Sequence, residues 1–288
     1  MEKIGTQKIW SYYDGVGAAR PASNHTIRGG PGHVVGTYFQ LANKVAELQF
    51  RNRDHVLLFR GQKRDHLTTK KNSSLKASLF RLEGKKVPSP TTLEKRFKTL
   101  RMAEEALVVR YSAEKLLGFE RLKRHRILRW TILQHYEVCA TPLLDVTQSL
   151  RIAASFASHD NETDSAFVFV FGVPNLSGAV TASSESGLQI IRLSSACPPA
   201  AVRPHIQEGY LLGEYPEITD YEQNAHYSYY EMDFGRRLLA KFRFNPRLFW
   251  KSKDYRPASD NALYPAEHRD PLLLIAGQIK EKIEKEKG

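Results

Sequence analysis

The chain has 288 residues, 43 of them Lys or Arg against 31 Asp or Glu, for a net charge of +12. With 41% hydrophobic and 26% charged residues it can bury a sizeable core, which excludes a wholly disordered chain. No run of about 18 apolar residues occurs, which excludes a transmembrane helix. The opening MEKIGTQKIWSYYDG lacks the basic-then-apolar order of a secretory signal, and Cys139 and Cys197 cannot make a disulfide framework. A reduced, cytoplasmic protein with an acidic partner is the expectation.

Residues 1–33 are rich in Gly, Ser, Asn and Pro and read as loops with a short strand. RGGPGHVVG has the look of a phosphate loop, but after Gly30-Pro31-Gly32 the third glycine is replaced by Val35. It reads as a turn before the helix TYFQLANKVAELQF, whose apolar residues recur at spacings of three and four. Residues 1–35 are thus expected to be an N-terminal extension to a domain over 36–288. Asp54 to Phe59 (DHVLLF) reads as a short strand ending at Arg60-Gly61-Gln62. An arginine there, followed by glycine, puts a planar guanidinium at the mouth of a sheet where backbone can approach a phosphate-bearing ligand.

The net charge is concentrated. Residues 51–130 hold 22 Lys and Arg against 8 Asp and Glu, leaving the rest of the chain close to neutral. Residues 92–129 read as helical, with Leu93, Phe97, Leu100, Ala103, Leu107 and Tyr111 on one stripe and a break at Gly118. The densest part, RLKRHRILRW, would face Leu122, Ile127, Leu128 and Trp130 inward. Arg121, Lys123, Arg124 and Arg126 would then face outward as a footprint for phosphates, and the stretch 92–130 is expected to be a basic helical insertion. A solvated helix face or a site for an acidic protein is the alternative.

LLDVTQSLRIAASFA reads as a strand end, with Asp145, Thr147 and Ser149 at alternating positions, followed by a helix. Thr147 or Ser149 can cap that helix, and Ile152, Ala153 and Phe156 would pack inward. Gln134-His135-Tyr136 brings an imidazole and a phenol to the same neighbourhood. AFVFVFGVP is a buried strand closed by Gly172 and Pro174, and QIIRLS is another. Residues 196–218 alternate turns with short extended pieces, 225–250 mix aromatic and basic residues, and DPLLLIAGQIKEKIEKEKG is an amphipathic helix. No HExxH, CxxC or GxSxG pattern is present, so no metal site and no Ser-His-Asp hydrolase is expected. The fold class is α+β.

FRGQ at 59–62, ASLFR at 77–81, QHY at 134–136, TPLLDVT at 141–147 with AASFA at 153–157, and RPHIQEGY at 203–210 follow one another in order. LYPAEHRDPLL comes after them. Together they resemble the Phe-Arg-Gly (FRG) domain family over about residues 36–280. The usual PTRLLDWT of that family is TPLLDVT here, without its Arg and Trp, and Tyr210 stands where a Phe is usual. The family in turn resembles the ADP-ribosyltransferase fold, which implies a split β-sheet core with helical insertions.

That resemblance implies an NAD-dependent ADP-ribosyltransferase, with NAD as substrate. Arg60, with Gly61 and Gln62, would hold the NAD phosphates, and Asp145, Thr147 and Ser149 would position ribose or nicotinamide. Tyr136 would stack on nicotinamide, His135 would hydrogen-bond ribose, and Gln207 or Glu208 would orient the acceptor. The expected acceptor is RNA, DNA or an associated protein. The expected role is a toxin or antiviral defence effector, with an antitoxin or chaperone as possible partner and no membrane. The alternatives are a non-catalytic module binding NAD, ADP-ribose or nucleic acid, and an NAD glycohydrolase.

Overall fold

A computed structural model describes residues 9–13, 15, 17–84, 86–251, 255–266 and 270–287. Of the LYPAEHRDPLL segment, residues 267–269 lie outside the described ones. The architecture is mixed α and β, and the chain divides into two compact units, each assembled from three separate stretches. No described helix is long and apolar enough to cross a membrane.

The first unit comprises residues 1–75, 146–176 and 233–263. Its first stretch forms β1 (Ile9–Ser11), β2 (Arg20–Ala22), α1 (Asn24–Gly29), β3 (His33–Val34), α2 (Tyr38–Arg51) and β4 (Val56–Gln62). Helix α2 starts where the sequence predicts, because the Thr37 side chain caps it by accepting from Gln40 N at 3.2 Å. Residues 9–35, read as an extension, belong to this unit, and His33 and Val34 pair in parallel with the later strand over Phe242 and Arg243.

The chain then enters the second unit (76–145, 177–232 and 264–288). After a 3-10 turn at Ser78–Phe80 it forms α3 (Pro90–Ala113), α4 (Phe119–Arg124) and α5 (Arg126–His135). Ser89 caps α3 by accepting from Thr92 N at 3.1 Å, with Pro90 in the first turn. Leu93, Phe97, Leu100, Ala103, Leu107 and Tyr111 are all buried, as the helical stripe requires. Gly118 makes the predicted break, at a φ of +91°. A second break at His125 divides the basic segment into two helices.

Strand β5 (Leu144–Thr147) carries the chain back, the boundary between units falling after Asp145. Helix α6 (Leu150–Ser158) and β6 (Ala166–Val173) follow in the first unit. The second unit then receives β7 (Val180–Ser183), β8 (Leu188–Arg192), α7 (Leu193–Ala196), α8 (Val202–Ile206), β9 (Gly209–Glu214) and α9 (Tyr221–Ala225). Strands β7, β8 and β9 make an antiparallel array in which Ile190 pairs with both Thr181 and Leu212.

The first unit is completed by β10 (Leu238–Phe244), α10 (Pro246–Phe249) and α11 (Asp260–Leu263), and the second by α12 (Pro271–Lys287). In the first unit β10 and β4 flank β6 in antiparallel register, and Phe59 of β4 pairs with Thr147 of β5. The sequence reading has no strand at 238–244, and the reason is Lys241. It looks like a polar interruption, yet its side chain is 1% exposed. Its ammonium donates to Asp65 Oδ2 at 2.6 Å and Ser73 Oγ at 2.8 Å, which compensates the buried charge. Arg28 is similarly buried against Asp233 at 2.9 Å, and Asp233 also accepts from Leu75 N and Gly235 N.

Candidate functional site

The strand carrying the Phe-Arg-Gly motif does not stop at Phe59. Arg60, Gly61 and Gln62 pair with Phe169, Val168 and Phe167 of β6, so Arg60 lies within the strand and not at its mouth. Alternation puts Arg60 in a cross-strand row with Phe169 and Lys241, and Gln62 in one with Phe167 and Arg243. Arg60 and Gln62 are half-buried.

Gly61 faces the other way. A Cβ there would lie 1.7 Å from Ala153 O and 2.9 Å from Ala157 N. The glycine lets the backbone of α6 lie directly on β4, which corrects the expectation that it opens the strand to a ligand. The alanines of AASFA are the other half of that contact, with Ala153, Ala154 and Ala157 fully buried. Phe156 is half-buried. Thr147 Oγ1 accepts from Ser149 N at 3.0 Å, and Ser149 holds the N-cap position of α6 without a side-chain cap bond.

The remaining motifs converge in the second unit. Gln134 and His135 end α5, and Tyr136 caps it. Gln134 Nε2 donates to Asp145 Oδ2 at 2.5 Å, while its Oε1 accepts from Thr141 Oγ1 at 2.5 Å and Ser78 Oγ at 3.1 Å. Thr141 N in turn donates to Ser78 Oγ at 3.0 Å. ASLFR, QHY and TPLLD are thereby closed into one polar network. His135 is buried, with Nδ1 3.8 Å from Asp145 Oδ1, beyond hydrogen-bond range but close for a charge. Its Nε2 makes no hydrogen bond among the described residues. Burial pushes the imidazole below its ordinary pKa; the Asp145 contact opposes this and the Arg203 charge adds to it. His135 is therefore held neutral, whereas Asp145, with a 35% exposed side chain, reaches both the network and solvent.

Tyr136 corrects a sequence expectation. Its ring is 1% exposed and its hydroxyl donates to Asp270, 2.9 Å from Oδ1 and 2.8 Å from Oδ2, so no ring face is offered to a nicotinamide. Burial first, then Asp270, raise the phenol far above its usual range. Asp270 is fully buried and also accepts from Arg203 N at 3.0 Å and Leu272 N at 3.1 Å. It ties RPHI and the start of α12 to QHY, a role the sequence reading did not assign. The Asp-Pro pair before an apolar run is the helix-start signal that could have drawn attention to it.

Gln207 is buried at the end of α8, and Glu208 is exposed at a φ of +45°. Both precede β9, which begins at Gly209, so neither rides on a strand as the resemblance implies. Gly209 itself lies beside the site, since a Cβ there would come within 3.7 Å of His135 Cε1.

The basic segment is not uniformly outward-facing. Glu104 is buried on α3 and accepts from Arg126 Nε at 3.2 Å, Arg129 Nε at 3.0 Å and Trp130 Nε1 at 2.8 Å. Arg126 thus belongs to an internal ion-pair network. Arg121, Lys123 and Arg124 stay exposed.

The model of one protein family, the FRG domain, matches residues 55–166. No curated protein and no solved structure matches the chain. The matched span holds the Gly61–Ala153 contact and the Ser78–Gln134–Thr141–Asp145 network, while Gln207 and Asp270 fall outside it. The stretch similar to the FRG domain thus runs from the residue before β4 to the first of β6.

Proposed function

We propose that the chain is an NAD-dependent ADP-ribosyltransferase on an ADP-ribosyltransferase-like split-sheet fold, with nucleic acid or a nucleic-acid-associated protein as acceptor. The observation that carries this reading is the closure of ASLFR, QHY and TPLLD into one network that ends on a half-exposed carboxylate and a neutral histidine. In the reaction the bond from ribose C1′ to nicotinamide nitrogen breaks and nicotinamide leaves with the electron pair. The acceptor nucleophile bonds C1′ and gives up its proton. The passing oxocarbenium-like sugar is positively charged, which suits a fixed carboxylate at Asp145, with the buried, neutral His135 set 3.8 Å behind it. Arg60 would contribute a phosphate contact and Thr147 a ribose contact, as the family resemblance implies. A cytoplasmic toxin or defence role, restrained by an antitoxin, follows from the same resemblance.

A second reading is a module that binds NAD or ADP-ribose without turnover. It is favoured by Gln207 being buried and Glu208 lying in a strained turn, so that neither offers a strand-borne carboxylate. Incubation with NAD labelled in the adenylate moiety, together with RNA, DNA or cell lysate, separates the readings. The transferase gives label transfer to one of the three with equimolar nicotinamide, lost on Asp145→Asn and Arg60→Ala. Nicotinamide release without transfer indicates a glycohydrolase. NAD affinity by calorimetry with neither product indicates the binding module.

A further inference from the structure

We infer that the second unit carries a single-stranded nucleic-acid subsite on α4, made of a small groove of mixed polarity for one base and the cations of that helix for the flanking phosphates. The inference rests on the nucleic-acid acceptor proposed above and deepens it. The groove is lined by Leu117, Gly118, Arg121, Leu122 and Leu128 together with the Ser194–Pro199 segment. Its volume is about 210 Å³, below the roughly 300–1,000 Å³ usual for a whole cofactor or drug-sized ligand, so it holds a fragment the size of one base. An unstacked base presents a flat apolar face and hydrogen-bonding edges: Leu117, Leu122, Leu128 and the Arg121 guanidinium line the groove to meet the face, and Ser194 and Ser195 to meet the edges.

The charge that α4 brings to the groove through Arg121, and carries further along the helix, is not neutralised by a carboxylate among the described residues. The buried Glu104 is saturated by Arg126, Arg129 and Trp130. Arg121 and Arg124 are held by neutral carbonyls, Ser195 O at 3.4 Å and Glu120 O at 3.2 Å, which orient a guanidinium without cancelling its charge. Lys123 is exposed, and among the described residues Arg121, Lys123 and Arg124 form no ion pair with a carboxylate. Glu120 is the one acid on α4 itself. Arg121 at the groove and Arg124 one turn further along the same helix, with Lys123 exposed between them in sequence, match a strand whose phosphates run past while a base turns in. A duplex, its bases stacked away, has no use for the slot. Leu117, 72% exposed at the groove, is accounted for by the same arrangement.

The test is fluorescence anisotropy of a labelled oligouridylate and of a duplex of equal length, titrated with the full chain across a salt series, without NAD. Single-strand affinity should fall linearly in the log–log plot. The Arg121→Ala/Lys123→Ala/Arg124→Ala variant should flatten that slope by about 2, at roughly 0.7 for each phosphate no longer neutralised. Leu117→Ser should weaken single-strand binding about fivefold or more and leave duplex binding unchanged. An unchanged slope in the triple variant, a duplex bound as tightly as the single strand, or polyglutamate bound as tightly as the oligonucleotide would each overturn the inference. Because NAD is absent throughout, a failed transferase assay leaves these outcomes standing, and a failed binding assay says nothing about nicotinamide release.

Discussion

Replacing Gly61 with alanine puts one methyl group into a space already filled by backbone. The new carbon would sit 1.7 Å from Ala153 O, 2.8 Å from Ala153 C and 2.9 Å from Ala157 N, whereas real Cβ atoms essentially never approach within 3.0 Å. None of these atoms belongs to a flexible side chain, so α6 and β4 must part by more than an ångström. The separation loosens the packing around Phe59, Ala153 and Ala157, all buried. Overpacking typically costs about 1–3 kcal/mol, and a backbone-on-backbone clash belongs at or above the top of that range. At about 2–4 °C per kcal/mol for a chain approaching this size, Gly61→Ala should melt about 6–12 °C early by circular dichroism. Gly17, whose added Cβ would meet nothing within 4 Å, is the control, and Gly17→Ala should melt with the wild type. If Gly61→Ala also melts within about 2 °C of wild type, the close-packing account of the motif glycine is wrong.

Glu104→Ala should cost about 3 kcal/mol in urea denaturation, because it strands Arg129 and the Trp130 indole N–H while half-exposed Arg126 is rehydrated. A loss below about 1 kcal/mol would mean the triad is not a structural ion-pair network. His135 has a native pKa below its unfolded value of about 6.5, so the unfolded chain binds the extra proton. Its contribution is complete above about pH 6.5 and declines as the pH falls below that value. Stability measured at about pH 7.5 and about pH 5 should therefore drop less for His135→Gln than for wild type, and equal drops would show that His135 titrates normally when folded.

Local pattern made much of this legible. The α3 stripe, the break at Gly118, the helix of TYFQLANKVAELQF and the β6 run all follow from spacing within a few residues, and they stand where the sequence puts them. What escaped is decided by partners far away. Strand β4 continues through Arg60 to Gln62 because β6, more than 100 residues on, offers a partner at every position. Lys241 enters a strand because Asp65 and Ser73 meet its charge from 176 and 168 residues away. The candidate site divides along the same line. Gln134 and Asp145, 11 residues apart, were recognisable as neighbours, whereas the Tyr136–Asp270 bond spans 134 residues and turns an expected stacking ring into a buried anchor.

The division of each unit into three stretches sets an order on biosynthesis. Leu57, Leu58 and Phe59 leave the ribosome long before their partners Gly172, Phe171 and Val170, and the β6 edge then waits for Leu238–Phe244. Tyr136 waits longer still, for Asp270. The first unit cannot close until Phe244 has emerged and the second until Asp270 has, so a nascent polypeptide carries exposed apolar strand edges over a long stretch of synthesis, the condition in which chaperone engagement matters most. By the same token a ribosome that stalls before residue 238 releases a product with the FRG stretch complete in sequence and incomplete in partners. Trimming the gene to the matched span should yield insoluble material, not a minimal domain.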